Sequence, residues 1–132
     1  MLGKFHIYLG ITIVIIFLLT GQYMRHNYNS LQDMEMMNRA LFRAGHLYIL
    51  LFGLIHAALG SSFKIAEKSV LQNFQKIASV IMCIATFLVI YAFFTELPSE
   101  SIERPVTSMS LYLILLGVSI HGIISLLRKN IS

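Results

Sequence analysis

The chain has 132 residues, of which 57% are apolar and only 12% charged, and its mean hydropathy is +0.76. This composition excludes an ordinary soluble domain, and the length leaves no room for a globular domain beside the apolar segments. The formal charge of +4 does not indicate nucleic-acid binding, because the basic residues lie in short groups near the ends of apolar segments, without a basic face carrying interleaved aromatic residues.

Four stretches carry no lysine, arginine, aspartate or glutamate: Phe5 to Met24, Ala44 to Phe63, Ile77 to Thr95, and Pro105 to Leu127. A helix rises about 1.5 Å per residue, so about 20 residues cross the roughly 30 Å hydrocarbon core of a bilayer. We therefore predict an all-α, polytopic membrane protein, a four-transmembrane-helix bundle forming a single domain over residues 1–132. Its helices are expected at about 5–24, 42–63, 74–96 and 106–127.

The longest connection, between the first two apolar segments, has a helical pattern of its own. Ser30 followed by Asp33 matches a capping box, and Leu31, Met34 and Leu41 recur at helical spacing. We expect an amphipathic lead-in helix over about 31–42, lying near the outer membrane surface before the chain enters the bilayer.

The distribution of basic residues predicts the orientation of the chain in the membrane. Alternate connections hold six basic residues on one side (Lys4, Lys64, Lys68, Lys76, Arg128 and Lys129) and four on the other (Arg25, Arg39, Arg43 and Arg104). Since short loops rich in lysine and arginine favour the cytoplasm, we expect both termini to be cytoplasmic. The expected location is the inner membrane of a bacterium.

Two histidines are predicted to lie at the same depth inside the bundle. His56 lies eight residues before Lys64 and His121 lies seven before Arg128, which places both about 10 to 12 Å along their helices from the cytoplasmic charges. The same counting places His6 nearer the cytoplasmic surface. Ionisable side chains at membrane depth usually face the bundle interior and have a partner there, so we expect a polar interior lined by histidine.

Two functions fit this pair of histidines. Glycines at 53, 60 and 117 share helix faces with them, which is typical of close helix packing. This pattern favours a small accessory or binding subunit that packs against copies of itself or within a larger membrane complex. The alternative is an electron-transfer protein with a b-type haem, in which His56 and His121 are the axial ligands and the glycines make room for the macrocycle.

A second candidate site lies toward the outer side of the membrane. Arg39, Arg43 and His46 share one face of the extended second helix and are candidates for holding an anion, such as a lipid headgroup. In the alternative interpretation, the two arginines pair with Glu35 and other acidic residues of the loops and mark the membrane interface.

Other chemistry finds less support in the sequence. A zinc site is not expected, since only Cys83 would join His56 and His121, and the methionines between positions 24 and 37, which suit Cu(I), are expected to be packing residues. The chain has no phosphate-binding glycine loop, no metalloprotease histidine pair and no carboxylate inside an apolar segment. A hydrolase or proton pump is therefore not expected, and a non-enzymatic role is favoured.

Overall fold

The computed structural model describes residues 1–32, 34–96 and 103–129, so Asp33, one half of the predicted capping box, lies outside the described residues. Over these ranges the α-helices are α1 (Leu2–Asn27), α2 (Met36–Ser62), α3 (Ser69–Thr95) and α4 (Pro105–Lys129). Each contains a segment long and apolar enough to cross a membrane. The predicted all-α fold with four transmembrane helices is confirmed, and the fold indicates an integral membrane protein.

The connection between α1 and α2 contains one short helical turn. Asn29–Leu31 forms a short 3-10 turn, and α2 begins at Met36, so the α-helical part of the expected lead-in starts there. The Arg39 guanidinium donates hydrogen bonds to the carbonyl oxygens of Gln32 and Met34, at 2.9 and 3.0 Å. These bonds hold the turn against the first turn of α2.

The four helices pack as two hairpins. α1 packs mainly against α2 and α4 mainly against α3, while α2 and α3 share a smaller contact. Of the four helices, α3 buries the largest share of its length. Its buried residues Met82 and Val89 meet Ile49 and Phe52 of α2 in the apolar core. α3 is therefore the element on which the two hairpins meet.

Glycines bring α1 and α2 into backbone contact. A Cβ atom on Gly10 would lie only 2.7 Å from the Ala57 nitrogen and 2.8 Å from the Gly53 oxygen. A Cβ atom on Gly60 would lie 2.6 Å from the nitrogen of Ile7. The small-residue face that the sequence indicates on α2 thus packs against α1, and any larger side chain at these points would push the helices apart.

A carboxylate joins α3 to α4 at the other end of the second hairpin. Glu96, directly after α3, accepts hydrogen bonds from the backbone N–H groups of Val106 and Thr107, at 2.6 and 3.0 Å, and from the Thr107 hydroxyl at 2.7 Å. The first N–H groups of a helix have no partner within it, and the helix dipole favours a negative charge there. Glu96 therefore caps the first turn of α4.

The contact between α1 and α2 can be tested with two identical substitutions. We expect Gly10→Ala to lower the free energy of unfolding by about 1–3 kcal/mol, because the new methyl group overlaps the backbone of α2. Gly122→Ala is the matched control, since a Cβ atom there meets nothing within 4 Å and the gain in helix propensity is the same. Equal unfolding midpoints in detergent for the two variants would contradict the backbone contact.

Candidate functional site

Histidines from three helices meet at one buried point of the bundle. The Nδ1 atoms of His6 and His56 are 2.8 Å apart, and His6 Nε2 lies 2.9 Å from the Ser79 hydroxyl. The same hydroxyl lies 3.2 Å from Nε2 of His121. His6 and His56 are fully buried and His121 is 5% exposed, so these rings are removed from the bundle surface.

The chain of hydrogen bonds continues beyond His56. Its Nε2 lies 2.9 Å from the hydroxyl of Thr86, which donates to the carbonyl of Met82 at 2.9 Å. We call the five connected side chains the histidine network; in bonding order they are His121, Ser79, His6, His56 and Thr86. All four helices contribute to it, with α3 supplying both hydroxyls.

Local sequence explains why these side chains can meet. Ser79 and Thr86 are seven residues apart, which is about two helical turns, so both lie on one face of α3. The close approach of α1 to α2 at Gly10 brings the rings of His6 and His56 into a stacked contact, with centroids 5.0 Å apart and planes 16° from parallel. The glycines on α1 and α2 therefore position the centre of the network.

The sequence identified two of the three histidines that the structure brings together. His56 and His121 belong to one network, but His6 lies against both of them, with ring centroids 5.0 and 6.2 Å away. Counting from Lys4 places His6 nearer the membrane surface, and this count did not indicate that its ring is buried beside His56. The available signal was Gly10, one helical turn after His6, which marks the face that α1 packs against α2.

The outer candidate residues have separate contacts. The Arg39 guanidinium donates to backbone carbonyls of the turn before α2, and Arg43 is exposed. His46 points to α1, where its Nδ1 lies 3.0 Å from the Thr20 hydroxyl and its ring stacks on Phe17 at 4.1 Å. His46 therefore helps to join α1 to α2, and anion binding at this group stays a prediction.

A cavity of about 360 Å³ lies beside the histidine network, between α2 and α4 and at the end of the bundle that carries Lys64. His121 is the network residue in its wall, and most of the remaining wall is apolar, with Ile55, Leu59, Val118 and Ile124 among its residues. Gly122 also faces this space, where an added Cβ atom would meet nothing within 4 Å.

In the part of the chain that the structure describes, no group of three or more histidine, cysteine, aspartate or glutamate side chains has an arrangement that could hold a metal ion, and the three histidines of the network are no exception. No protein-family model, curated protein or solved structure matches the chain. The class of the protein therefore follows from its fold and site alone. It is a small helical membrane protein with a hydrogen-bonded histidine network in its interior.

Removing the central histidine tests the network. We expect His6→Ala to lower the free energy of unfolding by about 2–4 kcal/mol, because His56 and Ser79 would each lose a buried hydrogen-bond partner. His26→Ala is the control, since that exposed side chain in the last turn of α1 should change stability by less than about 0.5 kcal/mol. Thermal unfolding in detergent measures both, and equal effects would show that the bonds of His6 contribute nothing.

Proposed function

We propose that this protein is a small membrane-embedded binding subunit that holds an amphipathic small molecule in the cavity between α2 and α4. One observation carries the proposal: the histidine network ends at His121, in the wall of a largely apolar cavity. Ligand sites in proteins typically occupy about 300–1,000 Å³ and combine an apolar lining with a few polar groups that orient the ligand. The cavity of about 360 Å³ has this character.

The cost of polar groups in lipid supports a role beyond packing. Hydrogen bonds between transmembrane helices contribute only about 0.6 kcal/mol each on average, so the stability they add does not by itself explain three histidines in one interior. Ionisable residues within the membrane are costly and usually mark a functional site. Three such residues in one connected network, with a cavity at its end, favour ligand binding.

The proposal includes the orientation of the chain in the membrane and its assembly with other subunits. With both termini in the cytoplasm and the chain in a bacterial inner membrane, the cavity at the Lys64 end lies in the cytoplasmic half of the bilayer. A lipid-soluble ligand reaches such a site laterally, through the acyl chains. A bundle of this size serves as an accessory subunit, either within a homo-oligomer or within a larger membrane complex.

Filling the cavity tests the binding proposal. We expect Gly122→Leu to weaken the binding of para-butylphenol at least about tenfold, because the new side chain occupies the ligand's space, whereas the clash-free position leaves the bundle stable. Ser119→Leu, an exposed position on the same helix outside the cavity wall, is the matched control. Calorimetric titration in nanodiscs measures both. Unchanged binding in Gly122→Leu with a normal unfolding midpoint would contradict the proposal.

A second function is haem binding, with His56 and His121 as axial ligands of a b-type haem. It is supported by the burial of both rings. The glycines at 53, 60 and 117 lie close to the rings in the sequence, but α1 and Met82 already occupy the space beside them. Ligation would require both Nε2 atoms to exchange their hydrogen bonds to Thr86 and Ser79 for iron, and His6 to give up its place against the two rings. When bound, a haem would supply one-electron chemistry.

The colour of the purified protein decides the haem proposal. After expression with a haem precursor, a bis-histidine site predicts a six-coordinate, low-spin absorption spectrum, which His56→Ala and His121→Ala should each abolish or shift while His46→Ala leaves it unchanged. A colourless wild-type protein without extractable haem would contradict haem binding. Such a result would leave the cavity proposal standing.

A further inference from the structure

One end of the histidine network is fixed by the backbone. The hydroxyl of Thr86 has a single proton and donates it to the carbonyl of Met82, one turn earlier on α3. Toward His56 Nε2, 2.9 Å away, Thr86 is therefore an acceptor. This contact requires the proton of the His56 ring to be on Nε2.

The three rings are neutral. A charged side chain without a counter-ion is costly within a bilayer. Among the described residues, the hydrogen bonds of the three rings go to histidine and to hydroxyls, none to a carboxylate. A neutral imidazole has one N–H donor and one bare nitrogen acceptor. Each ring must therefore donate on one side and accept on the other.

The fixed end sets the direction of every following bond. Since His56 carries its proton on Nε2, its Nδ1 accepts from Nδ1–H of His6. The bare Nε2 of His6 then accepts the proton of the Ser79 hydroxyl. With that proton used, the Ser79 oxygen accepts from Nε2–H of His121.

The remaining nitrogen of His121 is consequently an acceptor. Its Nδ1 is unprotonated, and it has no hydrogen-bond partner among the described residues. The other buried polar side chain of the wall, Gln75, is held in place by two hydrogen bonds, because it donates to the Lys64 carbonyl and accepts from the Ala66 N–H, at 3.0 Å each. His121 Nδ1 is thus a buried acceptor in the cavity wall that is available to a ligand.

We propose that the cavity selects an uncharged amphiphile that donates a hydrogen bond, a phenol or alcohol with an apolar body, over a molecule of the same shape that only accepts one. The selectivity is set at Thr86, on the far side of the network from the ligand. This inference rests on the proposed binding function and names its ligand class. The histidine network is then a relay: Thr86 sets the direction of each hydrogen bond in turn, through all four helices, as far as His121.

A phenol and its methyl ether test the ligand class. Para-butylphenol and para-butylanisole have nearly the same shape, and only the phenol can donate. We expect wild-type protein in nanodiscs to bind the phenol about tenfold more tightly, the size expected for one net hydrogen bond of about 1.4 kcal/mol. Binding to Gly122→Leu gives the contribution of partition into lipid for each probe, and this is subtracted.

The two proposals fail in different ways. If neither probe binds above the Gly122→Leu level, the binding function itself is wrong. If both bind above that level with equal affinity, the cavity binds ligands but the inference about donors is wrong. Equal binding is also the result expected if a ligand is held at the exposed Lys64 instead of His121.

Substitutions at Thr86 test the relay, since this residue is not in the cavity wall. Thr86→Val removes the hydroxyl that His56 Nε2 faces, so the direction of the network is less strongly set and the preference for the phenol should fall. Thr86→Ser keeps the hydroxyl and should keep the preference. A full preference in a folded Thr86→Val protein would overturn the relay.

A measurement on the wild-type protein keeps the inference testable if Thr86→Val does not fold. Nitrogen NMR of the labelled histidines reports which ring nitrogen carries the proton in each. We expect the proton on Nε2 in His56 and His121 and on Nδ1 in His6. A proton on Nδ1 of His121 would overturn the inference.

Discussion

The hydrogen bonds between α3 and the α1–α2 hairpin are the constraint on which the rest of this bundle depends. Lipid tails are as apolar as leucine, so helices in a bilayer gain little from burying apolar faces, and close packing and polar contacts decide which faces meet. Here His6 bonds Ser79 and His56 bonds Thr86. These two bonds fix both the rotation and the height of the first hairpin against α3. The direct contact between α2 and α3 is small compared with the contacts within each hairpin.

The glycines of this bundle have two opposite structural effects. Gly10 and Gly60 remove side chains where two backbones touch, so their effect is contact. Gly122 removes a side chain where nothing approaches, so its effect is space. The first kind positions His6 against His56, and the second leaves room beside His121. Spacing along the chain does not distinguish the two kinds, since both lie on helix faces near a histidine.

The helices could be predicted from the sequence because the thickness of the bilayer dictates how long a charge-free run must be. The burial of His56 and His121 could also be predicted, since imidazoles in lipid turn inward. The contact of His6 with His56 and Ser79 could not be predicted, because a residue count from Lys4 measures distance along one helix only. Such a count assumes that all helices end at one level. The role of Ser79 and Thr86 could not be predicted either. Hydroxyl residues are ordinary in membrane helices, and run lengths do not tell which helices are neighbours.

The division into two hairpins also bears on how the protein is made. Each hairpin can enter the bilayer alone, because its backbone hydrogen bonds are internal. The α1–α2 hairpin by itself, however, would present His6 and His56 to acyl chains, since their hydroxyl partners are on α3. In the second hairpin alone, Ser79 keeps its bond to His121 and Thr86 its bond to the Met82 carbonyl, but both lack the histidines of the first hairpin. A half-assembled chain therefore differs from a finished one by imidazole groups that face lipid, and docking of the second hairpin removes them from it.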